Sequence, residues 1–214
     1  KTSTGRILAK AVNCPNRKDG EPCNLCDICC SITEGRSIDV LEIDAASNRG
    51  IEEMRSLREK VNYAPSLARY KVYIIDEVHM LSTQAFNAFL KTLEEPPSHA
   101  IFILATTEKH KIIPTILSRC QIFDFNRIEN DDMIRHLQNI GEKENVTSEH
   151  DALHLIAQKS DGSLRDALSM FDQMVTFSGQ NLTYGAVVEN LSILSTDHFF
   201  ELTGYLVSSQ TAPA

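Results

Sequence analysis

The stretch KVYIIDEVHML at residues 71–81 decides the fold class of this chain. Its apolar run Val72–Ile75 is rich in β-branched residues, which is typical of a strand buried on both faces of a parallel sheet. Asp76 and Glu77 follow directly, and α/β proteins bind ligands at the carboxyl ends of such strands. In nucleotide-hydrolysing proteins the first acid of such a pair holds Mg²⁺ and the second polarises the attacking water. A charged loop without function explains the pair equally well when it is considered alone.

Strands and helices alternate on both sides of this stretch. Further strands are predicted at Asp39–Asp44, Ile101–Ala105 and Gln121–Phe125. Apolar residues recur at helical spacing within 6–12, 51–61 and 86–93, and Ser82 can cap the last of these helices, which Pro96-Pro97 ends. This alternation predicts βαβ units, and therefore an α/β domain with a mostly parallel sheet over residues 1–126.

No strand is predicted after about residue 126, where the pattern becomes wholly helical. The predicted helices are Glu129–Glu144, Ser148–Lys159, Ser163–Phe177, Thr183–Leu191 and Asp197–Val207. The third begins with the capping-box pattern Ser163-Leu164-Arg165-Asp166. We expect a three-helix domain at 127–182 and a further helical segment at 183–214.

Composition and charge exclude several classes of protein. Of the 214 residues 42% are hydrophobic and 23% are charged, which excludes wholesale disorder. A net charge of −8, from 21 basic and 29 acidic residues, argues against a chain whose whole surface binds nucleic acid. No apolar run approaches the ~18 residues that span a bilayer, and no secretory signal is present, so we expect a cytoplasmic protein without a membrane partner. Because the chain begins with Lys1 and not Met, we expect it to be cut from a longer one.

Four cysteines have the spacing of a metal site. Cys14, Cys23, Cys26 and Cys29 follow the pattern C-x8-C-x2-C-x2-C. Four thiolates close a tetrahedral Zn²⁺ site and leave no open position, so this module at 14–30 would be structural. Unpaired buried thiols are the alternative. Cys30 and Cys120 are expected to be packed and not to bind the metal.

Two short polar motifs flank the acidic pair. Lys1-Thr2-Ser3 matches the end of G-x-x-x-x-G-K-[ST], in which the lysine reaches the β and γ phosphates and the hydroxyl reaches Mg²⁺. By itself this tripeptide indicates no function. It becomes a candidate phosphate-binding motif because it lies one βαβ unit ahead of the acids. Thr106-Thr107 follows a predicted strand, where a hydroxyl can bond the attacking water or the γ-phosphate, or can simply end the strand.

Two arginines are candidates for phosphate contacts. Arg119 precedes the last predicted strand, in Ser118-Arg119-Cys120. Arg165 is in the first turn of a helix, where its positive charge is poorly placed against the helix dipole. A bound phosphate explains that position, and so does an ion pair with Asp161 or Asp166.

The order Lys-Thr, Asp-Glu, Thr-Thr, Ser-Arg-Cys and Gly-Ser-Leu-Arg-Asp-Ala-Leu-Ser resembles that of the AAA+ ATPases, and closely that of the gamma/tau clamp-loader ATPases of bacterial DNA polymerase III. The resemblance covers essentially the whole chain. Its most specific segments are the four cysteines and residues 42–47, 75–81, 90–97 and 162–169. It implies an AAA+ P-loop fold with an inserted zinc module and a helical lid, and a chain that lacks the family's first strand and Gly-rich loop.

The resemblance also implies a role for each candidate residue, with ATP, Mg²⁺ and structural Zn²⁺ as cofactors. Lys1 would contact the phosphates, Thr2 and Asp76 would hold Mg²⁺, Glu77 would be the catalytic base, and Thr107 or Thr106 would be the first sensor. Arg165 would reach the γ-phosphate of its own subunit, and Arg119 would complete the site of a neighbour. Asn48 and Arg49 are at a place where family members can face DNA.

The partners that the resemblance implies are the other clamp-loader subunits of a hetero-oligomeric ring, a sliding clamp and primer-template DNA, in a bacterial cytoplasm. Residues 183–214 would begin a truncated collar domain. ATP binding would order the lid and the ring, the ring would open the clamp, and DNA would trigger hydrolysis. Without the family's leading residues, we expect the chain as printed to bind ATP poorly.

Two other functions remain open. One is a structural ring subunit of the delta-prime type, which does not hydrolyse ATP, although Lys1-Thr2 and Asp76-Glu77 argue against it. The other is a zinc-bearing module that binds nucleic acid without catalysis, which the net charge disfavours. No acidic cluster for nucleotide addition is visible, so a polymerase or transferase label would describe the holoenzyme and not this chain.

Overall fold

Three parallel strands form the sheet of the first of two units, Lys1–Asp124, in a computed structural model that describes residues 1–47, 50–191 and 203. The strands are β1 (Val40–Asp44), β2 (Lys71–Asp76) and β3 (Ala100–Leu104), in the order β1-β2-β3. In the register Ile43 lies beside Ile75, and Ile75 lies beside Leu104. Val72–Ile75 is fully buried, as predicted for a strand covered on both faces.

The strand predicted at Gln121–Phe125 is wrong. These residues have no regular secondary structure, and no strand of the described sheet lies beside them. Ile122, Phe123 and Phe125 are largely exposed. A strand is stable only when a neighbour takes up its backbone hydrogen bonds, and the β-branched and aromatic composition of this segment does not supply that neighbour.

Helices cover both faces of the sheet in this unit. They are α1 (Thr2–Asn13), α2 (Asp27–Thr33), α3 (Ile51–Val61), α4 (Thr83–Glu94) and the short α5 (Pro114–Leu117). The predicted cap of α4 is confirmed, because Ser82 Oγ accepts the backbone N–H of Ala85 at 3.2 Å. On the face covered by α3 and α4, the ring of Phe102 stacks on Tyr73 and meets Phe89 edge to face.

The opposite face of the sheet is covered by α1, which packs closely on β2 and β3. Ala9 of α1 is fully buried, and a Cβ at Gly5 would lie 3.3 Å from Ile103 Cγ2 and 3.5 Å from Ile74 Cγ2. The absence of a side chain at Gly5 therefore lets the helix approach the sheet.

The second unit, from Phe125 onward, is built around helices. It contains α6 (Asn130–Lys143), α7 (His150–Lys159), α8 (Leu164–Ser178) and α9 (Tyr184–Asn190), with a two-stranded parallel sheet formed by β4 (Thr147–Ser148) and β5 (Asn181–Leu182). The three helices predicted for the lid are confirmed, whereas the two short strands were not predicted. Fully buried residues such as Leu137, Ile156 and Met174 form its core.

Part of the helical prediction lies outside the described residues. This holds for the predicted helix Asp197–Val207, of which Thr203 alone is described. Within the described part of the chain, no helix is both long enough and apolar enough to cross a membrane.

The carboxylate of Asp39 joins the start of β1 to the segment before β2. Asp39 is buried and accepts the backbone N–H groups of Ser66, Leu67 and Ala68 at 2.8, 2.7 and 2.9 Å. Burial by itself raises the pKa of this carboxyl, but the backbone donors, helped by the charge of Lys71, outweigh it and lower the pKa below its usual value. The charged form of Asp39 therefore stabilises the fold.

We expect Asp39→Asn to lower the free energy of unfolding at pH 7 by about 2 kcal/mol, because charge-assisted hydrogen bonds are lost. Since the native pKa lies below the unfolded value of about 3.9, the contribution of Asp39 is complete above that pH and is lost as the pH falls through the native pKa. Urea unfolding from pH 7 to pH 3 measures both effects. Glu59→Gln, at an exposed position of α3, is the control, and a difference that does not change with pH would contradict the account.

Candidate active site and cysteine cluster

The residues that follow the three strands meet at one edge of the sheet, because backbone hydrogen bonds continue past the strand ends. Asp76 O accepts the N–H of Ala45 at 2.9 Å, and Ile75 O accepts the N–H of Ala105 at 2.9 Å. Val78 N–H then donates to Ala105 O at 2.9 Å. The side chains at 76–79 and 105–108 are thereby brought to the same place.

The start of α1 lies against this edge. Thr2 Oγ1 donates to Asp76 Oδ2 at 2.6 Å, and Lys1 Nζ donates to the backbone oxygen of Thr106 at 2.8 Å. Thr2 and Asp76 thus offer a hydroxyl oxygen and a carboxylate oxygen at one point, which are ligand types that Mg²⁺ accepts. The donor set therefore fits the metal that the sequence predicts there.

The carboxylate of Glu77 points to the end of β3. Its Oε2 accepts the hydroxyl of Thr107 at 2.9 Å and the backbone N–H of Thr107 at 3.3 Å. Glu77 has a left-handed backbone (φ 46°, ψ 44°), which is uncommon outside glycine, and its side chain is 35% exposed. The arrangement gives a fixed carboxylate that still reaches solvent.

Sequence reasoning missed His79, although it is close to the acids. The His79 side chain is 6% exposed, its Nδ1 lies 3.0 Å from Thr106 Oγ1 and 3.3 Å from Glu77 Oε2, and its Nε2 lies 3.0 Å from Glu108 Oε2. The pKa of Glu108 is lowered, first by the hydrogen bond from Lys111. A polar residue within the otherwise apolar run Val78–Leu81 was the signal available in the sequence.

The four predicted cysteines form a cluster. The Sγ atoms of Cys14, Cys23, Cys26 and Cys29 all lie within 4.8 Å of one another. In a tetrahedral site with Zn–S bonds of about 2.3 Å, neighbouring sulfurs are about 3.8 Å apart, close to the 4.0 Å between Cys14 and Cys26. The cluster therefore fits a zinc ion with a small contraction.

The thiols of this cluster are not equivalent. Backbone N–H groups of Leu25 and Cys26 lower the pKa of Cys23 to about 6, whereas burial and nearby sulfur raise the pKa of Cys29 to about 12. Cys30 lies outside the cluster, and its Sγ is 3.7 Å from the backbone oxygen of Leu25. Cys120 is partly buried against the core, and burial raises its pKa.

Arg119 is not part of this group of contacts. Arg119 donates to Glu94 Oε1 and to the backbone oxygen of Thr115, each at 2.8 Å. Arg165 is the second residue of α8 in the other unit, and it is exposed. Within the described residues its side chain has no acidic partner, and Asp161 pairs with Arg127 instead. Asn48 and Arg49 lie outside the described residues.

Known families match both units. A family model described as "DNA polymerase III, delta subunit" matches residues 1–129, and one described as "DNA polymerase III clamp loader subunit, ATPase lid domain" matches residues 132–180.

Similar curated proteins are subunits of the same polymerase. DNA polymerase III subunit tau of Bacillus subtilis is 57% identical over 182 residues, which are 85% of this chain and 32% of that protein. Subunit tau of Escherichia coli is 44% identical over 209 residues, with 98% of this chain and 32% of that protein covered. Subunit gamma of Buchnera aphidicola subsp. Baizongia pistaciae is 44% identical over 208 residues, with 97% and 56% covered. The chain spans less than two thirds of each.

Solved structures agree on the fold. The RuvB Holliday junction branch migration motor of Thermotoga maritima has a TM-score of 0.61 over 76% of this chain and 55% of that chain, at 17% identity. The fold is that of an AAA+ ATPase, as predicted. Together with the matches above, this means that the chain belongs to the gamma/tau family of DNA polymerase III clamp-loader subunits.

Proposed function

We propose that this chain carries the ATP-hydrolysing centre of a bacterial replicative clamp loader, which uses ATP to load the sliding clamp on primed DNA. The observation that carries the proposal is the meeting of four side chains: Thr2 bonds Asp76 while Thr107 holds Glu77 next to it. Family membership supports the same conclusion, and a cytoplasmic location follows from the role in replication.

Each residue of this group has a role that its chemistry allows. Bound Mg²⁺-ATP supplies the γ-phosphoryl group and a divalent charge. Lys1 binds phosphate oxygens as a point charge, and Thr2 and Asp76 hold Mg²⁺. Glu77 orients the attacking water and accepts its proton, and Thr107 fixes the carboxylate that does so. We assign the first-sensor role, a contact with the attacking water or the γ-phosphate, to Thr107. The hydroxyl of Thr106 is proposed to help bind the nucleotide.

The arginines extend the site beyond this group. Arg165, unpaired within the described residues, contacts the γ-phosphate of its own subunit. Arg119 completes the site of a neighbouring subunit, and to do so it exchanges the carboxylate of Glu94 for a phosphate. Hydrolysis then depends on assembly of the hetero-oligomeric ring. Asn48 and Arg49 are proposed to contact primer-template DNA.

A structural ring subunit is the second candidate, because the family model on residues 1–129 is described as the delta subunit. A subunit that does not hydrolyse ATP would not need the Glu77 carboxylate beside the Thr2–Asp76 pair. The presence of this arrangement therefore favours the ATPase. We assign no polymerase or transferase chemistry to this chain.

The cysteine cluster is proposed to hold a structural Zn²⁺. Four sulfur ligands leave no position for a substrate, so the ion stabilises the loop 14–30 and takes no part in hydrolysis. The ion deprotonates all four thiols, including Cys29 with its raised pKa.

We expect Glu77→Gln to lower DNA-stimulated ATP hydrolysis at least about 100-fold, since an amide cannot accept the proton of the attacking water. The KM for ATP should stay within about threefold, because Lys1, Thr2 and Asp76 are unchanged. The measurement uses the complete gene product, assembled with its partner subunits, clamp and primed DNA, and Glu59→Gln is the control. Hydrolysis that survives in Glu77→Gln rejects Glu77 as the base, and no hydrolysis by an intact wild-type assembly indicates a structural subunit.

We also expect the purified protein to contain about one Zn²⁺ per chain. Cys26→Ser should lose most of this metal, because a tetrahedral site loses one of its four thiolates. Cys30→Ser should keep it, because Cys30 lies outside the cluster. Elemental analysis of both variants measures the metal, and an equal content in the two would contradict the assignment.

A further inference from the structure

The imidazole of His79 lies between two carboxylates of the candidate active site. Nδ1 is 3.3 Å from Glu77 Oε2 and Nε2 is 3.0 Å from Glu108 Oε2, while the side chain is 6% exposed. The hydroxyl of Thr106, 3.0 Å from Nδ1, is a further partner. With both ring nitrogens engaged and little access to water, the ring cannot turn without losing a hydrogen bond.

Glu108 determines which nitrogen of His79 carries a proton. Its Oε2 accepts from Lys111 Nζ at 2.7 Å, and this hydrogen bond lowers the pKa of Glu108, so the carboxylate is ionised at neutral pH. Since an ionised carboxylate only accepts hydrogen bonds, Nε2 is the donor. Nδ1 then accepts from the Thr106 hydroxyl, an assignment that follows from these partners.

The two carboxylate oxygens of Glu77 have different surroundings. Oε2 accepts both hydrogen bonds from Thr107 and faces His79. Within residues 1–47 and 50–191, no protein group hydrogen-bonds Oε1. One oxygen is therefore anchored, and the other is available to a water molecule.

We propose that His79 is a positioning residue for the base: its two ring nitrogens hold Thr106 and Glu108, the residues on either side of Thr107, so that Thr107 anchors Oε2 of Glu77 and Oε1 faces the attacking water. The proposal rests on the proposed function, in which Glu77 is the base. His79 acts on the rate and not on ATP affinity, because Lys1 and Asp76 are held by other partners. The segment Glu108–Lys111 is thereby connected to the rate of hydrolysis.

Variants that mimic one ring nitrogen at a time test this role in the complete, assembled protein. We expect His79→Ala to lower kcat at least about tenfold while KM for ATP stays within about threefold. His79→Asn places its amide near the position of Nδ1, and His79→Gln places its amide near Nε2. Each keeps one of the two hydrogen bonds, so each should recover part of the rate that the Ala variant loses. His136→Ala, at an exposed histidine of α6, is the control and should leave kcat unchanged.

Each outcome decides the proposal. A His79→Ala rate within about twofold of wild type overturns it, as does a raised KM with unchanged kcat. Asn and Gln variants that are both no more active than His79→Ala also overturn it. If His79→Ala does not fold, as measured by circular dichroism and Tm, the Asn and Gln variants decide, and a kcat within about twofold of wild type in both overturns the proposal. Glu77→Gln in the same series separates the two proposals: activity in Glu77→Gln rejects the proposed function, whereas loss there with normal His79→Ala rejects the positioning role alone.

Discussion

Parallel pairing on both sides of β2 determines where the polar groups of the candidate active site lie. The ladder places Ile43 and Leu104 beside Ile75, so all three strands end together. The hydrogen bonds of Ala45 and Ala105 extend this register beyond the strands. Residues distant in the chain are brought within hydrogen-bond distance by backbone geometry, and the side chains supply only the chemistry. A slip of one residue would turn every side chain of the slipped strand to the other face and separate the group.

Helix α1 is held at both of its ends, and this couples the cysteine cluster to the same strand. At one end Thr2 bonds Asp76, which ends β2. At the other, the side-chain amide of Asn13 exchanges two hydrogen bonds with the backbone of Tyr70, just ahead of β2, at 3.1 and 2.8 Å. Helix α1 and strand β2 have similar lengths, because the twelve residues of the helix span about 18 Å and the six residues of the strand span about 20 Å. Since Cys14 follows Asn13 directly, the cluster is attached at the amino end of β2, remote from the acids.

The sequence predicted those features that depend on local pattern. Three predicted features have a local physical cause, and the structure confirms them. They are the burial of Val72–Ile75, the helix cap formed by Ser82 and the clustering of the four cysteines. The strand at Gln121–Phe125 was predicted wrongly, since composition describes a strand's faces and not the presence of a neighbour. His79 was missed because its contacts are with residues that follow β2 and β3, which no local period reveals. The roles of the individual site residues stay predictions.

The left-handed backbone of Glu77 explains how two adjacent acids reach different partners, Thr2 for Asp76 and Thr107 for Glu77. In a continuing strand, Asp76 and Glu77 would point to opposite faces of the sheet. The turn at Glu77 instead leaves Asp76 directed at α1 and swings the next carboxylate across to Thr107. A non-glycine residue in this conformation costs of order 1 kcal/mol, and it persists where surrounding contacts fix it. Those contacts are present on both sides, since Glu77 N–H donates to Asp76 Oδ1 and Val78 N–H donates to Ala105 O. Glycine would adopt this backbone without strain, but it would bring no carboxylate to the end of β3.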